Sequence, residues 1–136
     1  MREEEHNIQA ACVRWFNLQW PEYRGLLFAV PNGGARSKAT AGKLKAEGVV
    51  PGVADLILLV PHLGFPHIIE GNADEMVSYV GTADLFCGLC IEMKTAKGHQ
   101  SPEQKEWQTK VESKGYRYAV VRSLEEFMFV VNGYLT

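Results

Sequence analysis

The sequence predicts an α/β domain: a mixed central sheet with helices on both faces. Three observations carry this reading. Short apolar runs at residues 26–30, 53–60, 89–95 and 116–121 have the length and composition of strands. Helical segments, each with its own start or stop signal, lie before the first run, after it, between the third and fourth, and at the end. A helix that joins the third run to the fourth implies a parallel, right-handed crossover. At 136 residues the chain reads as a single domain, able to bury roughly two-thirds of its surface without metal or disulfide staples.

Residues 3–19 read as a helix because Ile8, Cys12 (with Ala11), Trp15 and Leu18 or Gln19 recur at helical spacing, and Trp20-Pro21 closes it. Residues 26–30 follow as the first strand, ended by the turn signal Pro31-Asn32-Gly33-Gly34. Ser37 is placed to cap a helix through Glu47, with Gly48 as its left-handed stop. Residues 53–60 are the second strand, opened by Pro51-Gly52 and ended before Pro61. Residues 61–87 read as an inserted hairpin, with short strands at 67–70 and 76–80 around Gly71-Asn72-Ala73-Asp74. Its role stays open between a dimer contact, a substrate-shaping loop and a simple decoration. Residues 89–95 are the third strand. Ser101-Pro102-Glu103-Gln104 then opens a helix, with Ser at the N-cap, Pro in the first position and Gln closing a capping box. Trp107, Val111 and the stem of Lys110 or Lys114 form its buried stripe, and Gly115 ends it. After the fourth strand at 116–121, Ser123 caps a final helix with Phe127, Val130, Val131 and Tyr134 facing inward.

Composition excludes some classes. No apolar run approaches the roughly 20 residues of a membrane span, and the acidic start Met1-Arg2-Glu3-Glu4-Glu5-His6 lacks the apolar core of a signal peptide. Three cysteines, an odd number, argue for reduced thiols and a cytoplasmic setting. Cys87-Gly88-Leu89-Cys90 has no second cysteine or histidine pair at zinc-site spacing. The net charge of −2, taken alone, counts against nucleic-acid binding. Its distribution says more: Arg36, Lys38, Lys43 and Lys45 form one basic segment, and Lys94, Lys97, His99 and Lys105 form another. A chain can be acidic overall and still hold phosphates through one local surface.

The chemistry gathers in two strands. In the third, Glu92 and Lys94 share one face while Ile91 and Met93 share the other. Both signs of charge on a core strand are costly to desolvate unless the site uses them. In the second strand Asp55 interrupts an apolar run. An acid on one strand with Glu-x-Lys on the next is what metal-dependent phosphodiester hydrolysis needs. The carboxylates hold a hard divalent cation, and the lysine faces the reacting phosphate. The structural alternatives are a cap or turn at Asp55 and a strand-edge ion pair between Glu92 and Lys94.

Asp55 followed by Glu92-Met93-Lys94 resembles the PD-(D/E)XK nuclease superfamily. The flanking stretches sharpen the resemblance. Asn32-Gly33-Gly34-x-Arg36, Gly48-Val49-Val50-Pro51-Gly52-Val53-Ala54-Asp55-Leu56, Ser101-Pro102-Glu103-Gln104 and Tyr118-Ala119-Val120-Val121-Arg122-Ser123 occur in the order seen in the VRR-NUC family. That family includes small stand-alone phage and bacterial nucleases and the catalytic domain of the Fanconi-associated nuclease. The resemblance covers nearly the whole chain, although the 61–87 insertion departs from the shortest members.

The resemblance implies a restriction-endonuclease-like core and a Mg²⁺ site, with Mn²⁺ as a substitute. Asp55, Glu92, the backbone carbonyl of Met93 and Glu5 of the first helix would be the ligands. Lys94 and Gln104 would complete the catalytic set, and Arg122 belongs to the namesake motif. Asn32, Gly33 and Arg36 resemble a phosphate-contacting loop, with Lys38, Lys43, Lys45 and Lys97 as further contacts to DNA. The expected activity is a structure-selective endonuclease on branched DNA, resembling a Holliday junction resolvase. A four-way junction has two-fold symmetry, so a homodimer is the expected state, in phage or bacterial recombination. The alternatives are a flap, end or linear-DNA nuclease, and a DNA-binding module that needs a helicase or recombination partner.

Overall fold

The computed structural model describes residues 2–31, 37–63 and 85–136. In chain order they form α1 (Arg2–Gln19), a 3-10 turn (Pro21–Tyr23), β1 (Leu27–Ala29), α2 (Lys38–Ala46), β2 (Leu56–Leu58), β3 (Leu89–Met93), α3 (Pro102–Glu112), β4 (Arg117–Val121) and α4 (Leu124–Leu135). One sheet runs in the order β1-β2-β3-β4. The first two pairings are antiparallel, and β3 with β4, the pair joined through α3, is parallel. This is the mixed α/β sheet the sequence predicts.

Strand alternation sorts the side chains onto two faces. Leu56 pairs with Ile91 and Leu58 with Leu89, and these four face α1 and α4. There they bury against Cys12, Phe16, Phe127, Val131 and Tyr134. Ile57, Cys90 and Tyr118 lie in register on the other face, where Cys90 and Tyr118 pack with Ala54 beneath Trp107 and Val111 of α3. Helices therefore cover both faces, as expected.

The caps fall where the sequence puts them. The hydroxyls of Ser37, Ser101 and Ser123 accept the amides of Thr40, Gln104 and Glu126, each satisfying a donor the helix start leaves free. Gly48 and Gly115 take positive φ after α2 and α3.

All four strands are shorter than predicted, the fourth by one residue at Tyr116, and one packing position differs. The strand predicted at 53–60 is only Leu56–Leu58. Gly52 turns at a φ of +84°, and the Asp55 carboxylate takes the Met93 amide, so the β2–β3 ladder starts one residue later. The third strand ends at Met93, not Thr95, although the Lys94 amide still donates to the Val121 carbonyl. The first strand is shortened to Leu27–Ala29. On α1 the buried stripe runs Cys12 to Phe16, one full turn apart. Leu18, expected inside, is 78% exposed, because two residues of helix, about 200°, turn it away from the face that Phe16 buries, and Gln19 at the end of the helix is exposed too. Most of the expected hairpin, residues 64–84, lies outside the described residues. Its flanks, His62 and Phe86, pair antiparallel.

Candidate active site

Asp55 and Glu92 meet where β2 and β3 begin to diverge. Asp55 stands just before β2, and its Oδ2 accepts the Met93 amide at 2.7 Å. This contact ties the first carboxylate to the strand that carries the second. The turn that delivers Asp55 needs glycine at position 52: a Cβ there would collide with the Glu103 carbonyl and lie 2.9 Å from the Gln104 nitrogen. The approach sets Asp55 against the start of α3.

Glu92 is 2% exposed. It points to the α3 face, and protein donors occupy both of its oxygens. Gln104 Nε2 donates to Oε1 at 2.9 Å, and the Lys94 ammonium lies 3.8 Å from the same oxygen. The Tyr118 hydroxyl donates to Oε2 at 3.3 Å, and Gln100 donates in turn to Tyr118 at 3.2 Å. Burial first, then the neighbouring Asp55 carboxylate, pushes the Glu92 carboxyl up to about 8, while Lys94 and Tyr118 pull in the other direction. The same burial pushes the Tyr118 hydroxyl above its ordinary range, so it remains a donor.

Gln104 uses both ends of its amide. Its carbonyl oxygen accepts the Ser101 amide at 2.8 Å and closes the capping box, while its nitrogen holds Glu92. The cap and the contact with Glu92 are thus one side chain. Arg122 donates to the carbonyls of Thr95 and Gly98, both at 2.7 Å, and fixes the turn that follows Lys94.

Two clefts meet at this point. One, of about 650 Å³, is walled by Ala41, Leu44 and Lys45 of α2 and by the start of α3, and it contains Asp55, Glu92, Lys94 and Gln104. The other, of about 910 Å³, runs along α1 and contains Met93 and Asp55. Glu5 lines both. Glu5 is half-buried whereas Glu3 and Glu4 are exposed, so of the three adjacent acids it is Glu5 that faces the site.

Of the residues predicted from sequence, the structure brings Asp55, Glu92, Lys94, Gln104, Glu5 and Lys45 to one cleft. Lys38, Lys43 and Lys97 are exposed on the surface. Asn32, Gly33 and Arg36 lie outside the described residues. Among the described residues, no group of three or more Asp, Glu, His or Cys side chains comes together as a ready-made metal cage. Sequence reading missed Tyr118 and Gln100, because their role depends on the parallel register that sets Tyr118 beside Cys90. It also missed the α1 cleft.

No family model and no curated protein matches the chain. Its fold is similar to that of a solved VRR_NUC domain protein, with a TM-score of 0.65 at 23% identity, over 96% of this chain and 87% of that one. The likeness is one of fold. It agrees with the restriction-endonuclease-like core expected from the sequence.

Proposed function

We propose that this chain is a divalent-metal-dependent DNA endonuclease of the VRR-NUC type, selective for branched DNA and acting in the cytoplasm as a homodimer. One observation carries the reading. Two carboxylates with a lysine and an amide beside them are held at one cleft, and the buried one, Glu92, is costly to keep there without a cation or a proton. An oxygen-only donor set with two carboxylates suits Mg²⁺ or Mn²⁺, which keep several waters of their own. The described residues contain no helix long and apolar enough to cross a membrane.

Asp55 and Glu92 would hold the ion, with Met93 supplying its backbone carbonyl and Glu5 completing the site from α1. When bound, the cation would lower the pKa of a coordinated water and offset charge on the phosphate. The chain does the rest. Glu92 gives up its proton to solvent so that both of its oxygens can serve as acceptors. Gln104 and Tyr118 hold that carboxylate in one orientation. Lys94, 14% exposed and tethered beside Glu92, turns its ammonium toward the cleft, where it neutralises a non-bridging phosphate oxygen. Lys45 on the cleft wall, Lys38 and Lys43 on the same helix, and Lys97 three residues after Lys94 supply phosphate contacts that do not read bases.

The test is cleavage of four-way junction, flap, splayed-arm and linear duplex DNA by purified protein with Mg²⁺, Mn²⁺ or EDTA, beside Asp55→Asn. Paired, metal-dependent nicks on the junction, lost in the variant, support the reading in full. Cutting of flaps or linear DNA alone keeps the site and removes the junction preference. Binding without cutting under any metal replaces it with a module that depends on a helicase or recombination partner.

A further inference from the structure

The α1 cleft is larger than the one that contains Glu92, yet it shares Asp55 and Glu5 with it. Its lining is graded. Glu5 and Asp55 stand at the metal end, Gln9 and Asn17 carry neutral amides along the wall, and Arg14 and Arg24 are the cleft's guanidinium groups. Among the described residues neither guanidinium has an ion-pair or hydrogen-bond partner. Arg122 differs, since two carbonyls engage it. Exposed, unpaired arginines beside neutral amides, opening from a carboxylate pair, suit a polyanion that runs past a bound cation.

We propose that this cleft holds the DNA strand leading away from the cut, with Arg14 and Arg24 gripping its backbone phosphates. The inference rests on the nuclease reading and adds to it a second arm of the substrate path, opposite the lysines of α2. Spacing sets the reach. Arg14 is nine residues beyond Glu5 on α1, or about 13.5 Å at 1.5 Å per residue. With a duplex axis running along the cleft, that is roughly four base-pair steps of about 3.4 Å axial rise. Arg24, in the turn before β1, closes the far side of the cleft. Guanidinium forks bind phosphates without reading bases, so the cleft orients the strand and sets the distance from branch point to cut.

The experiment measures equilibrium binding of branched DNA across salt, in the Asp55→Asn background so that the substrate survives. Adding R14A and R24A together should lower the slope of log affinity against log salt by about 0.9 per arginine. Between about 50 and 200 mM salt, the loss of affinity should then shrink by roughly 12-fold relative to the parent. Replacing a phosphate about four nucleotides from the cut by an uncharged methylphosphonate should weaken the parent and leave the double variant unaffected. The control, K110A with K114A at the far end of α3, removes the same charge and should keep the parental slope. An unchanged slope in R14A/R24A, or an equal drop in the control, overturns the proposal. Both arginines are exposed and unpaired, so an unchanged melting temperature is expected and verifies folding. If the wild type cuts DNA and the slope is unchanged, only the cleft assignment fails. If the wild type neither cuts nor binds DNA, the nuclease reading fails with it.

Discussion

Toward α1 and α4 the sheet buries Leu56, Leu58, Leu89, Ile91, Met93 and Val121 against Cys12, Phe16, Phe127 and Val131, while toward α3 the buried cluster among the described residues is Ala54, Cys90 and Tyr118. The first face holds most of the apolar area removed from water, at roughly 25 cal/mol per Å², and so most of the hydrophobic stabilisation. The second is thin, and Glu92 can lie on it because α3 brings a Gln and β4 a Tyr to its oxygens. On the thick face the same carboxylate would meet aliphatic and aromatic groups with no donor to spare and would be several kcal/mol too costly. The two faces thus divide labour: one supplies stability, the other has room for charge and function.

Substitutions on either side should separate the two. Asp55→Asn should have the largest effect on activity. It keeps a group able to accept the Met93 amide but removes the charge proposed to hold the cation, so cleavage should fall by more than the 10- to 100-fold typical of supporting residues, with little change in melting temperature. Ile91→Ala, one position from Glu92 but on the thick face, should do the reverse. It should cost about 2–5 kcal/mol in urea unfolding, with cleavage per folded molecule retained. If Asp55→Asn unfolds the chain, or Ile91→Ala loses activity while folded, the division is wrong.

Tyr118→Phe probes the thin face more gently. It removes one hydrogen bond to Glu92 and keeps the ring against Trp107. Stability should change by about 1 kcal/mol, whereas metal affinity by calorimetry should weaken about 10- to 100-fold. Comparable losses in Ile91→Ala would show that any packing defect disturbs the site.

The sequence told the thick face better than the thin one, for physical reasons. Helical spacing and caps report local geometry, so all four helices and three serine caps were readable from nearest neighbours in the chain. Asp55, Glu92 and Lys94 stood out because charge in an apolar run violates the local pattern. Phe16 was missed in favour of Leu18 because both continue a helical spacing, Phe16 from Cys12 and Leu18 from Trp15, and only the packing against the sheet and α4 decides between them. Tyr118 could not be recognised: an apolar-aromatic strand residue looks like core, and its hydroxyl gains meaning only through the Cys90–Tyr118 register. The α1 cleft was hidden for the same reason. Arg14 and Arg24 are ten residues apart and meet around one cavity only after the turn at Pro21 folds back.

A graded effect, spread over pH units rather than set by one substitution, is expected from Glu92 itself. Glu92 titrates near 8 in the folded, metal-free chain and near 4.5 when unfolded, so the folded state binds the extra proton between those values. Its contribution to stability is therefore fully present below about 4.5 and is lost as pH rises through 8. On the proposed reading metal binding would reverse the sign, because the cation would require the ionised carboxylate and expel that proton. Mg²⁺ affinity should accordingly tighten by up to about tenfold per pH unit from 6 toward 8 and level off above it. Calorimetry in buffers of different ionisation enthalpy should count close to one proton released at pH 6.5 and almost none at pH 9. In Glu92→Gln both the slope and the released proton should vanish while the thick face keeps the chain folded. A slope that survives in Glu92→Gln would assign the proton to another group and leave Glu92 ionised throughout, held by Lys94 rather than waiting for the cation.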